Sequence, residues 1–254
     1  MRTAYNGVPV VESVEELPRV VAELGIVPWT YARPEPMDLG EYRAMLDRNE
    51  SPLWSSVQIA PTPEEMRAYR EEAGRFAPKA EVLFLVPPGG TKIGTYFRST
   101  GRDWASVFAP VPDPKDPHVP KYQLVPVVAE WKHGAEEISI GPPAGVPKKG
   151  ETMEDCGRRE FMEETGFELE SMEALAGGVT TPVSGRQTTQ GFRAFLGKGK
   201  TPVVRGESRL DDSAYLKLML VPLPVWLEVV AQGLTGESSA IVTTFLALRK
   251  LRLL

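Results

Sequence analysis

Cysteine and histidine are scarce in this sequence. One cysteine, Cys156, and two histidines occur among 254 residues. A single cysteine excludes a disulfide within these residues and a metal cluster held by cysteines. Two histidines also make a histidine-based zinc site or a histidine-dependent catalytic triad an unfavourable interpretation. Any chemistry is therefore expected to depend on other side chains.

Long apolar runs and an excess of basic residues are absent as well. No stretch reaches the roughly 20 apolar residues of a membrane span, and the first 20 residues lack the basic start and apolar run of a signal peptide. Acidic residues outnumber basic ones by 34 to 29, which gives a net charge of -5. This balance disfavours nucleic acid or an anionic membrane as the main partner. We expect a cytoplasmic enzyme or binding protein.

The chain changes character near residue 79. Residues 1–78 are rich in proline and predict helices and loops, whereas short β-rich runs separated by turn residues begin at Glu81. Two helices close the chain, the second with Ser238 or Ser239 as its N-cap. Strands around one early helix, followed by helices, predict an α/β or α+β sandwich. We expect an N-terminal segment over 1–78, which shapes a substrate pocket or a dimer contact, and a catalytic domain over 79–254.

The early helix lies in "GETMEDCGRREFMEETGF", residues 150–167. Thr152 with Asp155 predicts its start, and Gly166 predicts a left-handed end, so the helix runs from about 153 to 165. A charged run of this kind is commonly a solvated face. Helical spacing, however, places three glutamates on the side whose small and apolar residues pack on a sheet: Glu160, Glu163 and Glu164.

Carboxylates that cluster in a partly desolvated place repel one another and take up protons unless a cation neutralises them. Oxygen ligands suit a hard divalent ion such as Mg²⁺ or Mn²⁺. Arg159, one turn before Glu163, can pair with an acid and hold its orientation. The helix is therefore predicted to carry a metal site.

The same segment is similar to the Nudix box, written G-x5-E-x7-R-E-U-x-E-E-x-G-U, where U is a bulky apolar residue. Every specified position is matched, by Gly145, Glu151, Arg159, Glu160, Phe161, Glu163, Glu164, Gly166 and Phe167. The chain thus resembles the Nudix hydrolases. The resemblance implies an αβα sandwich with a mixed sheet, and metal-dependent hydrolysis of a nucleoside diphosphate linked to another moiety.

The resemblance also implies roles for individual residues. Glu160 and Glu164 would be the main ligands of Mg²⁺ or Mn²⁺, and Glu163 a further ligand or a contact to the attacking water. The backbone carbonyl of Ala144 would be an additional ligand. Glu151 and Arg159 would brace the loop and the helix, so that the structural positions of the box are Gly145, Glu151, Arg159 and Gly166.

A narrower resemblance is to the ADP-ribose and sugar-nucleotide pyrophosphatases. It rests on "VVAEWKHGAEEISIGPPAG", residues 127–145, and on Pro182, sixteen residues after Gly166. Two features depart from that subgroup. Gly141 stands where the subgroup usually has a glutamate, and its "R-Q-Y-R" appears here as "AEWK", residues 129–132. Lys132 can supply a point charge to the substrate, but not a bidentate fork.

The subgroup resemblance adds candidates for the general base and for substrate contacts. An acid on a late loop often serves as the base, which points to Glu207, Asp211 or Asp212. Trp54 is a candidate for stacking on the substrate's base, and Arg186 for reaching the substrate. The alternatives are a solvated acidic loop, a tryptophan packed in a core or interface, and an ordinary surface loop.

Three functions are compatible with these residues. The first is a Nudix pyrophosphatase acting on ADP-ribose or another nucleoside diphosphate sugar, expected as a homodimer because subgroup enzymes commonly pair through their N-terminal parts. The second is a Nudix hydrolase of a dinucleotide, coenzyme A or a nucleoside triphosphate. The third is a Nudix-like ligand sensor without catalysis, which the complete set of box acids and the lack of a basic recognition helix disfavour.

Overall fold

The computed structural model of the protein describes residues 2–5, 7–26, 79–85, 94–117, 123–132, 136–184, 188–199 and 216–254. The chain divides into two compact units, one made of Met1–Pro28 and Ala80–Leu254, the other of Trp29–Lys79. The described helices and strands belong to the first unit, apart from Lys79 at the start of one strand.

Four α-helices and twelve strands lie within the described residues. The helices are α1 (Leu17–Glu23), α2 (Met153–Thr165), α3 (Leu223–Ala231) and α4 (Ser238–Lys250). The strands are β1 (Arg2–Ala4), β2 (Val8–Val10), β3 (Lys79–Leu85), β4 (Gly94–Thr100), β5 (Trp104–Phe108), β6 (Leu124–Lys132), β7 (Glu137–Gly141), β8 (Ala144–Gly145), β9 (Leu169–Ala174), β10 (Thr181–Pro182), β11 (Gly191–Gly199) and β12 (Leu216–Pro222).

These strands form two mixed sheets and one strand pair. The first sheet has the order β1-β2-β12-β6-β7, in which only β2 and β12 run parallel. The second has the order β10-β11-β5-β8, with β9 also paired to β11, and only β11 and β5 run parallel. Strands β3 and β4 pair with each other. The predicted α/β sandwich with a mixed sheet is confirmed.

Two apolar cores lie on opposite faces of the strands, because successive side chains of a strand point to opposite sides. On β12, Met219 and Val221 enter the core that contains Trp226 of α3 and Leu248 of α4. Their neighbours Leu218 and Leu220 enter the other core, with residues of α2 such as Phe161. This alternation places helices on both faces of the sheets.

The first ten residues were predicted as helix and loop, and the structure shows strands instead. β1 pairs with β2, and Val10 of β2 lies opposite Leu220 of β12. The Val11 N–H also donates to the Leu220 carbonyl, at 2.9 Å. Strands of three residues are too short to show the alternation that identifies a strand in sequence. The predicted boundary between residues 78 and 79 stays a prediction.

The predicted ends of α2 are confirmed. The Thr152 Oγ1 accepts a hydrogen bond from the Asp155 N–H at 3.1 Å and donates to Asp155 Oδ2 at 2.7 Å. Gly166 has a φ of 73°, so it ends the helix in the left-handed conformation that suits glycine. The cap predicted for α4 is wrong: the N-cap is Glu237, with no side-chain cap bond, and Ser238 is the first helical residue.

Gly157 brings α2 close to the second sheet. A Cβ at this position would lie 3.0 Å from Val107 Cγ2 on β5 and 3.1 Å from Met172 Cε on β9. A larger residue would push the helix away from both strands. The close contact holds the acidic face of α2 beside β8 and the end of β7.

Candidate active site

Three of the four glutamates of α2, Glu160, Glu163 and Glu164, lie on the inward side of the helix. Glu164 is only 8% exposed, and its Oε2 accepts a hydrogen bond from the Ala144 N–H on β8 at 3.1 Å. Glu160 and Glu163 are partly buried, whereas Asp155 and Met162 on the other side are exposed. The helical periodicity predicted this orientation correctly.

Arg159 is the centre of the cluster. Its Nε and Nη2 donate to the two carboxylate oxygens of Glu151, at 2.7 and 2.9 Å. Its Nη1 donates to Glu160 Oε1 at 2.7 Å and to Glu163 Oε2 at 2.8 Å. Nη2 also donates to the Val146 carbonyl at 3.3 Å, so one guanidinium ties the loop before α2 to two of the helix's acids. A lysine has no planar fork with which to make this set of bonds.

Negative charge is in excess around this guanidinium. Arg159 is shared by three carboxylates, those of Glu151, Glu160 and Glu163, and the buried Glu164 beside them has no ion pair with it. Lys148 Nζ lies 3.6 Å from Glu163 Oε1 and is exposed, so solvent screens its charge. Arg159 therefore neutralises only part of the cluster.

The pKa values follow this imbalance. The hydrogen bonds from Arg159 lower the pKa of Glu151. Burial raises the pKa of Glu160, more than Arg159 lowers it. Burial, followed by repulsion from Glu160, raises the pKa of Glu164 well above its ordinary value. A cation beside Glu160 and Glu164 would oppose both upward shifts, because it stabilises the charged carboxylates.

Gly145 leaves space for the Glu160 carboxylate. A Cβ at this position would overlap Cδ and Oε1 of Glu160. The carbonyl of Gly145 accepts a hydrogen bond from Cys156 Sγ at 3.2 Å. Burial raises the pKa of that thiol to about 12, so Cys156 is a packed residue and not a nucleophile, as its place in the helix predicted.

The substitution Gly145→Ala is expected to lower hydrolytic activity by about tenfold or more, because the new methyl group displaces the Glu160 carboxylate by a large part of an ångström or more. The unfolding midpoint should change little, since the displaced atoms are the free end of a side chain. Steady-state kinetics and thermal unfolding of the same preparation test this. Full activity in the variant would show that the position of Glu160 is unimportant.

A second group of charges shares a cavity with Glu164. The cavity measures about 40 Å³, and its charged lining residues are Glu130, Lys132, Glu164 and Glu237. Lys132 Nζ lies 2.6 Å from Glu130 Oε2 and 3.0 Å from Glu237 Oε1. Burial lowers the pKa of Lys132, but Glu237 and Glu130 outweigh it, and the pKa is raised. Glu237 was not predicted from the sequence, where nothing near it indicates a site.

The structure brings the box residues together and places Lys132 next to them. The other predicted site residues lie outside the described residues: Trp54, Arg186, Glu207, Asp211 and Asp212. Among the side chains that are described, no three from aspartate, glutamate, histidine and cysteine converge in ligand geometry. Arg159 accounts for this in part, because it draws Glu160 and Glu163 towards itself.

The model of the NUDIX domain family matches residues 119–219, which include β6, β7, β8 and the whole of α2. The match covers about two fifths of the chain, and over these residues it confirms the resemblance to the Nudix family that the box predicted.

A solved structure described as a crystal structure of an ADP compounds hydrolase is similar to this chain. The TM-score is 0.54 and the identity 18%, over 69% of this chain and 87% of that one. The likeness is one of fold. No curated protein matches the chain significantly. In the part of the chain that is described, no helix has the length and apolarity to cross a membrane.

Proposed function

We propose that this Nudix domain hydrolyses the pyrophosphate bond of ADP-ribose or a related nucleoside diphosphate sugar, in a reaction that depends on Mg²⁺ or Mn²⁺. The products would be a nucleoside monophosphate and a sugar phosphate. The observation that carries the proposal is the excess of carboxylates on the inward face of α2. The name of the similar structure, an ADP compounds hydrolase, supports a substrate of this class.

The residues present fit a hard divalent ion. Their donor atoms are oxygens only, two of the carboxylates have raised pKa values, and Gly145 gives the Glu160 carboxylate the space in which it lies. The ligands would be Glu160, Glu164, the Ala144 carbonyl and Glu163. When bound, the metal would neutralise the diphosphate and lower the pKa of a bound water.

The other steps would depend on side chains of the protein. Arg159 holds Glu160 and Glu163 in place from its anchor on Glu151. The proton of the attacking water would pass to Glu163 or to an acid of the late loop, Glu207, Asp211 or Asp212. The proposed substrate contacts are Lys132, Arg186 and Trp54.

A second candidate is a Nudix hydrolase of another substrate: a dinucleotide, coenzyme A or a nucleoside triphosphate. It is favoured by Gly141, which lines the cavity beside Glu164 without offering a carboxylate, and by the replacement of both subgroup arginines. A non-catalytic ligand sensor is the remaining alternative, and the complete set of box acids argues against it.

A hydrolysis panel with and without Mg²⁺ tests the proposal and separates the two substrate classes. The compounds are ADP-ribose, UDP-glucose, NADH, coenzyme A and GTP, with products separated by chromatography. We expect turnover of ADP-ribose or UDP-glucose that stops when the metal is chelated. Turnover of only the last three compounds would select the second candidate, and no turnover of any would reject an enzymatic function on these substrates.

A homodimer and a cytoplasmic location complete the proposal. The proposal of a homodimer is based on the subgroup enzymes, which commonly pair through their N-terminal parts. A light-scattering mass of 28.0 kDa, the mass of one chain, would reject it. The cytoplasmic location stays a prediction, and fractionation of cells that express the protein checks it.

A further inference from the structure

Lys132 is held between two carboxylates at the end of β6. Glu130 Oε2 lies at 2.6 Å and Glu237 Oε1 at 3.0 Å from its Nζ, and all three side chains are about one third exposed. We name this group, Glu130, Lys132 and Glu237, the Lys132 clamp. Glu130 lies on the same strand as Lys132, whereas Glu237 comes from the start of α4, outside the residues matched by the family model.

The backbone fixes Glu237 at this place. The Thr235 carbonyl accepts hydrogen bonds from the Ile140 N–H at 2.9 Å and from Ser139 Oγ at 2.7 Å, which ties the start of α4 to β7. The missing side chain at Gly141 allows the approach, because a Cβ there would lie 3.3 Å from the Cβ of Ala240 on α4. Ser239 Oγ donates to Glu237 Oε2 at 3.1 Å and orients the carboxylate.

The charge of the clamp does not suit a phosphate. The two carboxylates of the clamp outnumber its one ammonium. A phosphate at this place would therefore meet net negative charge. A lysine ammonium has three N–H donors, and the two glutamates use two of them, which leaves one donor beside several carboxylate acceptors.

This combination suits a neutral hydroxyl group. A hydroxyl both donates and accepts, so it can bond to a carboxylate and to the third N–H of Lys132 at the same time. The cavity of about 40 Å³ holds a group of that size. It cannot hold a whole nucleoside.

We propose that the Lys132 clamp recognises a hydroxyl of the sugar that is attached to the diphosphate, with Glu237 as a specificity-determining residue. The inference rests on the proposed function, because the clamp shares its cavity with Glu164, a proposed metal ligand. It assigns Lys132 to the sugar of the substrate rather than to its phosphates.

The test compares two substrates that share the adenosine diphosphate. ADP-ribose carries a second ribose, with its hydroxyls, on the terminal phosphate. The methyl ester of the terminal phosphate of ADP carries a methyl group in place of that ribose. The variants are Glu237→Gln, which keeps the shape and removes the charge, Lys132→Met, and Glu173→Gln as a control. Glu173 is a matched control because it also pairs with a lysine: its Oε2 lies 2.9 Å from Nζ of Lys250. Lys250 is the last residue of α4, whereas the cavity lies at the start of that helix.

For Glu237→Gln we expect the ratio of kcat/KM for ADP-ribose to kcat/KM for the methyl ester to fall about tenfold, which corresponds to about 1.4 kcal/mol. Lys132→Met should lower the same ratio, and Glu173→Gln should keep it at the wild-type value. If Lys132→Met lowers kcat/KM by the same factor for both substrates, Lys132 contacts phosphate and the inference is wrong. An unchanged ratio in Glu237→Gln overturns it as well.

A failure of the proposed function gives a different result from a failure of the clamp. In that case the wild type hydrolyses neither compound, and the clamp is then judged by equilibrium binding of ADP-ribose and the methyl ester. A wild-type preference for ADP-ribose that falls about tenfold in Glu237→Gln would support the clamp. Equal preference in both proteins, or none in the wild type, would overturn it.

Discussion

Replacing Glu164 with glutamine is expected to lower the metal-dependent kcat by about 10³-fold, which is the size of effect seen when one group that stabilises developing charge is removed. Glu164 is the most buried acid of the cluster, and glutamine keeps its shape. Glutamine offers no negative charge to a cation, although its side-chain oxygen can still accept the Ala144 N–H. The measurement is steady-state turnover across a range of Mg²⁺ concentrations.

Stability distinguishes this effect from misfolding. Without metal, the variant should unfold at the same temperature as the wild type or at a higher one, because a buried charge with few partners has been removed. The rise in unfolding temperature that Mg²⁺ gives to the wild type should be lost. Glu154→Gln is the matched control, since Glu154 is an exposed acid of the same helix. Wild-type turnover in Glu164→Gln would reject the metal site.

Removing the Arg159 side chain should produce the largest loss of stability in the cluster. In Arg159→Met we expect the free energy of unfolding to fall by about 2 kcal/mol, less than for a fully buried ion pair because the arginine is partly exposed. Three carboxylates, those of Glu151, Glu160 and Glu163, then lose their shared donor, and Glu151 no longer ties the loop to α2. Activity should fall about 10–100-fold, as is usual when a residue that orients metal ligands is changed.

The neighbouring arginine is a close control. Among the described residues, Arg158 pairs only with the exposed Glu154, at 3.1 Å, one turn earlier on α2. Arg158→Met should therefore change the free energy of unfolding by less than about 0.5 kcal/mol. Chemical denaturation of both variants, with circular dichroism as the signal, gives the comparison. Equal losses in the two variants would show that Arg159 has no special place in the cluster.

Rules that act over a few residues made α2 predictable. Its start at Thr152 and its end at Gly166 depend on hydrogen bonds and dihedral angles within one or two turns, and both are as the sequence indicated. The inward face of the glutamates follows from the helical period alone. The same kind of reasoning failed for the start of α4, because hydrogen bonds from Ser139 and Ile140 on the distant strand β7 to Thr235 fix the place where this helix begins.

Pairing between distant segments accounts for the other differences. Val10 pairs with Leu220 across the whole length of the chain, and neither β1 nor β2 is long enough to be identified by its own pattern. The contact of Gly141 with α4 is also non-local. In the sequence, Gly141 shows only that the glutamate usual in the subgroup is absent. The sequence does not show that this glycine lets the start of α4 approach β7.

By itself, the sequence determined the Nudix box, the helix that carries it, and the side of that helix on which the three glutamates lie. These features depend on spacing and on local hydrogen bonds, which the order of residues specifies directly. Only the tertiary structure decided that Arg159 binds three of the four acids, and that Glu237 enters the cavity of Glu164 and Lys132. Those contacts depend on strand register and helix packing, which emerge from the sum of many weak contacts across the whole fold.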